Sequence, residues 1–316
     1  MFELSFPGLG IEGWEINSIA FTLPIFGGLQ VRWYGLVIAI GMLLAIVYAS
    51  YRCKQHGIKV DDLVDIAIFT IFFGVIGARL YYVALNPEKF PTFLDVIGMG
   101  ENSKGFAGLA IYGGVVVGAL TIFVVCRIKK ISWRKLFDSA APGVMIAQAM
   151  GRWGNFFNGE AYGSVTTLPW RMCSPKFASE LSRIEADPDK GVAPITAEQY
   201  DQIINGTLGV HPTFLYELLW NILGFILINI FYKKKKFDGQ IALYYFAWYG
   251  FGRMFIEGLR MDSMYIGSTG IRSNQLLGFL FFALASALLI YGLIYVKKHP
   301  DSKFAQVEFV SATDKE

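Results

Sequence analysis

Seven apolar stretches, each close to the roughly 20 residues that a helix needs to cross a hydrocarbon core, constrain this chain more than any other feature. They run approximately over 33–51, 63–85, 108–126, 136–157, 213–231, 240–259 and 274–295. Each is continuously apolar rather than alternating, so helices are expected and a barrel is not. Composition agrees: 54% of the residues are hydrophobic and 17% charged, with a mean hydropathy of +0.45. A water-soluble domain seldom carries that balance. The fourth stretch is the most interrupted, by Asp138, Pro142, Gln148 and Arg152.

Lysine and arginine mark the cytoplasmic loops. Here Arg52, Lys54 and Lys59 follow the first stretch, Arg127, Lys129, Lys130, Arg134 and Lys135 the third, Lys233 to Lys236 the fifth, and Lys297 and Lys298 the seventh. The segment before Arg32 holds Glu3, Glu12 and Glu15 and no basic residue. The N-terminus is therefore expected outside and the C-terminus inside, which requires an odd number of spans. The fold expected is an all-α integral membrane protein of seven transmembrane helices with a small extracytoplasmic cap. As one membrane domain, 1–316, it divides into an outer interfacial segment 1–32, spans one to four over 33–157, a cap loop 158–211, spans five to seven over 212–296 and a cytoplasmic tail 297–316. The start of the chain lacks the basic and compact apolar regions of a cleavable signal peptide.

Metal chemistry is not expected. Cys53, Cys126 and Cys173 fall on both sides of the membrane in this topology, and His56, His211 and His299 are too scattered to ligate one ion. No cofactor is expected either.

Polar residues within the spans line up on helix faces, where positions three and four apart are neighbours. Gln148, Arg152 and Asn155 form one stripe, Thr213, Glu217 and Asn221 a second, and Tyr245, Tyr249, Arg253, Glu257 and Arg260 a third. Lipid cannot be what they face. Arg152 and Arg253 sit deep in stripes on separate helices, so an anionic group such as a phospholipid phosphate is the ligand they suit. For Arg79 and Arg260 alone, a structural and a functional reading stay open. Asn158 and Gly159 read as a turn that leaves Glu160 over the site.

The segment "GRWGNFFNGEAYG" at 151–163 closely resembles the signature of the prolipoprotein diacylglyceryl transferase family of bacterial membrane enzymes. "VRWYGL" at 31–36, "GARLYYV" at 77–83, "HPTFLYE" at 211–217 and "GFGRMFIEGLRMD" at 250–262 agree with it in order and spacing. The resemblance implies transfer of a diacylglyceryl group from phosphatidylglycerol to the lipobox cysteine of a preprolipoprotein, with glycerol phosphate released. It implies the bacterial plasma membrane, with the site toward the outer leaflet. By position, Arg152 and Arg253 are expected to bind phosphate and stabilise the leaving group. Asn155 and Glu160 would orient the headgroup and the arginines, while Tyr34, Gly163, Tyr249, Glu257 and Arg260 complete the lipid site.

One departure stands out. Where family members carry "HGG" in the third span, with a histidine proposed as base, this chain has Tyr112, Gly113 and Gly114. Tyrosine, with an ordinary pKa near 10, is a poor base at neutral pH. Tyr112 is expected to act by hydrogen bonding, or to pack beside the small residues Gly114 and Gly118. Two other classes remain, an anion or lipid transporter and a membrane assembly factor, although the absence of two similar halves counts against the transporter.

Overall fold

The computed structural model describes residues 1–24, 28–100, 108–187, 193–261, 263–267, 269–307, 309 and 310. Parts of the expected outer segment, cap and tail, and Asp262 of the last motif, lie outside the described residues. The chain opens with two antiparallel hairpins, β1 (Phe2–Phe6) with β2 (Ile11–Ile16), and β3 (Ile19–Leu23) with β4 (Leu29–Arg32). There follow α1 (Trp33–Gln55), α2 (Val60–Leu85), the short α3 (Phe93–Val96), α4 (Ile111–Ile128) and α5 (Trp133–Asn158). The cap contains β5 (Val165–Thr166), α6 (Pro175–Ser182), α7 (Ala197–Ile204) and β6 (Gly209–Val210). The last helices are α8 (Thr213–Phe231), α9 (Gln240–Ile256) and α10 (Ser273–Lys298).

Five helices among the described residues are long and apolar enough to cross a membrane: α1, α2, α4, α8 with the turn after it, and α10. Many of their large apolar side chains are exposed, Leu43, Val47, Phe72, Val116 and Leu284 among them. Such extensive apolar surface needs lipid or protein to cover it. Helices α5 and α9 coincide with the fourth and sixth expected spans but are not among the five. Charges and Pro142 break the apolarity of α5, and α9 is 17 residues long.

The chain forms two compact units, and the dividing line falls inside both α1 and α5. In the unit that includes Ile46–Ala140, α2 and α4 approach closely through small residues: a Cβ on Gly113 would stand 2.3 Å from Gly77 O. Lys129 joins the start of α2 by ion pairs of 2.7 Å to both Asp62 and Asp65. Arg79 donates to three backbone carbonyls, Val96 O at 2.8 Å, Asp95 O at 2.9 Å and Gly108 O at 3.1 Å. Of its two readings, these bonds support the structural one, since they tie a loop to α2.

In the other unit, comprising Met1–Ala45 and Ala141–Val307, the first hairpin and the cap share one apolar core with the ends of α5 and α8. Leu4, Phe6, Ile16, Phe156, Phe177 and Phe214 are buried there. Strand β1 is held to the cap backbone by Ser5 and Cys173, which exchange bonds of 2.9 and 2.8 Å. The outer segment is thus strand hairpin over much of its length. Its buried residues Leu4, Phe6 and Ile16 face the core, a packing that a plain interfacial stretch would not need.

Candidate functional site

The three polar stripes meet at one carboxylate. Glu217, on the second turn of α8, is 3% exposed. Its Oε2 lies 2.7 Å from Arg152 Nη2 of α5, and its Oε1 lies 2.7 Å from Arg253 Nη1 of α9 and 3.2 Å from Arg260 Nη1. A second carboxylate, the fully buried Glu257, takes Arg253 Nη2 at 2.6 Å and faces Arg260 Nε at 3.9 Å. Arg253 therefore forks between two carboxylates, giving one terminal nitrogen of its planar guanidinium to each. Glu257 is further held by Asn274 Nδ2 at 3.2 Å, and its backbone carbonyl accepts from Arg272 Nη1.

Local backbone explains how these side chains converge. Helix α9 ends at Ile256 and tightens into a 3₁₀ turn, Glu257–Leu259, which buries Glu257 beneath Arg253. Arg260 is already extended, with φ −77° and ψ 142°, so it is not a last residue of the helical stripe. It pairs as an antiparallel bridge with Gly163. Gly163 N donates to His211 O at 2.8 Å, and Ser164 N to Leu259 O at 2.8 Å. A Cβ on Gly163 would come within 2.7 Å of Leu259 O and 2.9 Å of Thr213 Cγ2, so only glycine allows this backbone contact.

The signature turn adds the rim. Gly159 and Ala161 both take left-handed conformations, at φ +59° and +57°. For alanine that is a strained state, and here Thr213 Oγ1 holds Ala161 O at 2.5 Å. The turn returns Glu160 over α5, where its Oε1 accepts from Asn155 Nδ2 at 3.1 Å and Asn158 Nδ2 at 3.3 Å. Asn155 Oδ1 in turn accepts from Arg152 Nη1 at 3.3 Å. Glu160 thus reaches Arg152 through Asn155.

Of the residues expected at the site, Arg152, Asn155, Glu160, Gly163, Arg253, Glu257 and Arg260 are brought together. Tyr249 lies within electrostatic reach of Arg152, Glu217, Arg253 and Glu257, and its ring stacks on Tyr245 at 6.0 Å. Tyr34 is half-buried against Gly154, where an added Cβ would stand 2.7 Å from its ring. Tyr112 belongs to the other unit, half-buried in the first turn of α4 beside the Gly113 contact. Three residues at the centre were not chosen from the sequence: Glu217, Arg272 and Asn274. The Thr213, Glu217 and Asn221 stripe is the signal that points to the first.

Charge decides what this cluster can hold. Arg152, Arg253 and Arg260 face Glu217 and Glu257, which leaves one positive charge in excess. Adding Arg272 and Glu160 adds one charge of each sign and leaves the same excess. Each guanidinium has five N–H donors, and the contacts above use part of them. Nearby, His211 Nδ1 lies 3.1 Å from Tyr216 Oη, which accepts from Trp170 Nε1 at 2.7 Å, and burial lowers the imidazole pKa. Burial also pushes the Cys173 thiol up to about 11, against a smaller opposing effect of Arg171, so this cysteine is no ready nucleophile.

A buried cluster of arginines and glutamates among long apolar helices defines the class, a helical membrane protein with a buried polar site. The model of the prolipoprotein diacylglyceryl transferase family matches residues 19–291. The chain is 39% identical over 294 residues, 92% of its length and 94% of the relative's, to the phosphatidylglycerol-prolipoprotein diacylglyceryl transferase of Enterococcus faecalis. Relatives of the same name in Clostridioides difficile and Streptococcus sanguinis are each 38% identical, over 80% and 87% of the chain and 86% and 95% of their own lengths. The chain belongs to the prolipoprotein diacylglyceryl transferase family.

Proposed function

We propose that the chain transfers the diacylglyceryl group of phosphatidylglycerol to the thiol of the lipobox cysteine in preprolipoproteins. The thiol sulfur forms a bond to the terminal glyceryl carbon, and the bond from that carbon to the phosphate oxygen breaks. The electron pair stays on the oxygen of the departing glycerol phosphate, and the thiol proton leaves to that phosphate or to water. The observation that carries this reading is the gathering of Arg152, Arg253 and Arg260 on Glu217 with positive charge in excess. Guanidiniums fixed before the reaction stabilise charge that grows on the leaving oxygen, and so favour the transition state over the ground state. Family membership supports the same reaction and lends nothing to the transporter reading.

In this mechanism Arg152 and Arg253 bind the phosphate. Glu217 and Glu257 hold the guanidiniums in place, Asn155 and Glu160 orient Arg152, and Gly163 sets the position of Arg260. Tyr34 and Tyr249 border the lipid, and Tyr112 hydrogen-bonds a reactant without acting as base. The alternation of basic loops supports seven spans, including α5 and α9, in the bacterial plasma membrane. The N-terminus and cap then lie outside, the site opens to the outer leaflet, and the tail is cytoplasmic.

Mass spectrometry tests the reaction. A lipobox peptide incubated with the protein and phosphatidylglycerol vesicles should gain a diacylglyceryl group on its cysteine. A transporter would move lipid or anion with no covalent product, and an assembly factor would do neither.

A further inference from the structure

The arginine cluster is the upper layer of a deeper polar column. Gln148 stands four residues before Arg152 on α5, and Asn221 four residues after Glu217 on α8. Arg152 and Glu217 pair at 2.7 Å, α5 runs toward the cap and α8 away from it. Both amides therefore lie one helical turn, about 6 Å, further from the cap than that pair.

Neither amide is fully satisfied. Asn221 is 3% exposed, and its Nδ2 donates to Glu217 O at 2.9 Å. That carbonyl can only accept, so the Asn221 amide cannot be turned over and Oδ1 is its open end. Gln148 Nε2 donates to Tyr245 Oη at 3.0 Å, two turns below Arg253 on α9. Asn221 Oδ1 and Gln148 Oε1 are both buried without a partner among the described residues. Buried carbonyls that meet no donor are costly, and packing alone would be served as well by leucine and methionine.

The reactants of the proposed reaction narrow what fits. Phosphate and acyl ester oxygens only accept, and a thiol is a weak donor. The headgroup glycerol carries a vicinal diol of strong donors. We infer that Asn221 and Gln148 form the subsite for the headgroup glycerol of the donor lipid, one turn below the arginines that hold its phosphate. A hydroxyl both donates and accepts, so it suits Gln148 with its amide in either orientation.

On the cap side Asn155 bonds both Arg152 and Glu160, so Asn155 and Glu160 are left to position the arginine.

The inference rests on the transfer reaction, and donor selectivity tests it. Transfer to a lipobox peptide is measured with phosphatidylglycerol and with phosphatidylpropanol, which keeps the phosphate and chain length but lacks both hydroxyls. The wild-type protein should favour phosphatidylglycerol by at least about tenfold in kcat/KM, because a site built around hydroxyls penalises their loss. In Asn221→Leu and Gln148→Met that ratio should fall toward one, whatever the absolute rates. Equal use of the two donors by the wild type overturns the subsite, without any variant needing to fold. So does a ratio that survives in either variant, which would leave water as the partner of these amides. Transfer from neither donor would instead remove the reaction itself, and the subsite with it.

Discussion

Replacing Glu217 by glutamine should damage the protein in two separable ways. The side chain keeps its size, yet a carboxylate shared by Arg152, Arg253 and Arg260 becomes a neutral amide. With Glu257 as the one remaining carboxylate among these residues, the excess grows from one positive charge to two. Glu217 is 3% exposed, so the loss resembles removal of one partner from a buried ion pair, which costs about 3 to 5 kcal/mol. Stability should fall by that order. Turnover should fall at least about 100-fold, since misplacing a catalytic group by about 1 Å already costs that much. Binding should move the other way, because guanidiniums released from Glu217 attract anions more strongly. Inhibition by added glycerol phosphate is therefore expected to tighten. Transfer rates to a lipobox peptide, denaturant unfolding in detergent and glycerol phosphate inhibition measure the three effects. Turnover within about threefold of wild type, with unchanged stability, would refute the role of Glu217 as the organiser of the cluster.

Arg152→Lys and Arg253→Lys should each reduce kcat by about 100- to 1,000-fold in protein that still inserts, the scale of losing one preorganised donor; near-normal turnover would remove the phosphate-binding role. Tyr112→Phe should slow transfer about 5- to 30-fold, the worth of one buried hydrogen bond, with the same rise of rate with pH as wild type; abolition at every pH would make this hydroxyl essential. Burial lowers the His211 pKa below its ordinary value of 6.5, so the folded state favours the neutral ring. Its contribution to stability is full above 6.5 and is lost as the pH falls through the lowered value. Unfolding measured between pH 7.5 and 5 should therefore show an acid-side loss that His211→Gln diminishes, and equal pH slopes for the two proteins would contradict this.

Helix positions were readable from the sequence because apolar length is a local property. The stretch expected over 213–231 is helix Thr213–Phe231, and the one expected over 33–51 extends only to Gln55. Convergence of the arginines was also readable, since the i, i+3 and i+4 spacing of Arg152 with Asn155, and of Arg253 with Tyr249, fixes helix faces before any fold is known. The hub was not. Glu217 was visible in its own stripe, but which of three arginines it would pair with depends on how α5, α8 and α9 pack. Arg260 looked like one more helical position, yet it is extended because the 3₁₀ turn at Glu257 ends the helix and Gly163 offers a backbone partner. The hairpins in residues 1–32 were hidden for a related reason: β1 and β2 bury Leu4, Phe6 and Ile16 against a cap more than 150 residues away in sequence.

Carboxylates at the heart of the proposed phosphate site look contradictory until the guanidiniums are considered by themselves. Three guanidiniums packed together in a low-dielectric interior would repel one another and move apart, and a phosphate would then have to gather them again at the moment of binding. Glu217 and Glu257 remove that step. They neutralise two of the three charges and fix Arg253 by both arms of its fork at 2.7 and 2.6 Å. A third carboxylate in direct contact would cancel the excess and repel the lipid phosphate. Glu160 illustrates the limit, because it meets Arg152 only through the amide of Asn155. Its charge steers the arginine without occupying any of the guanidinium donors. The polarity of α5 and α9 follows from the same requirement: a helix that must present Gln148, Arg152 and Asn155 to a partner cannot also be apolar all round.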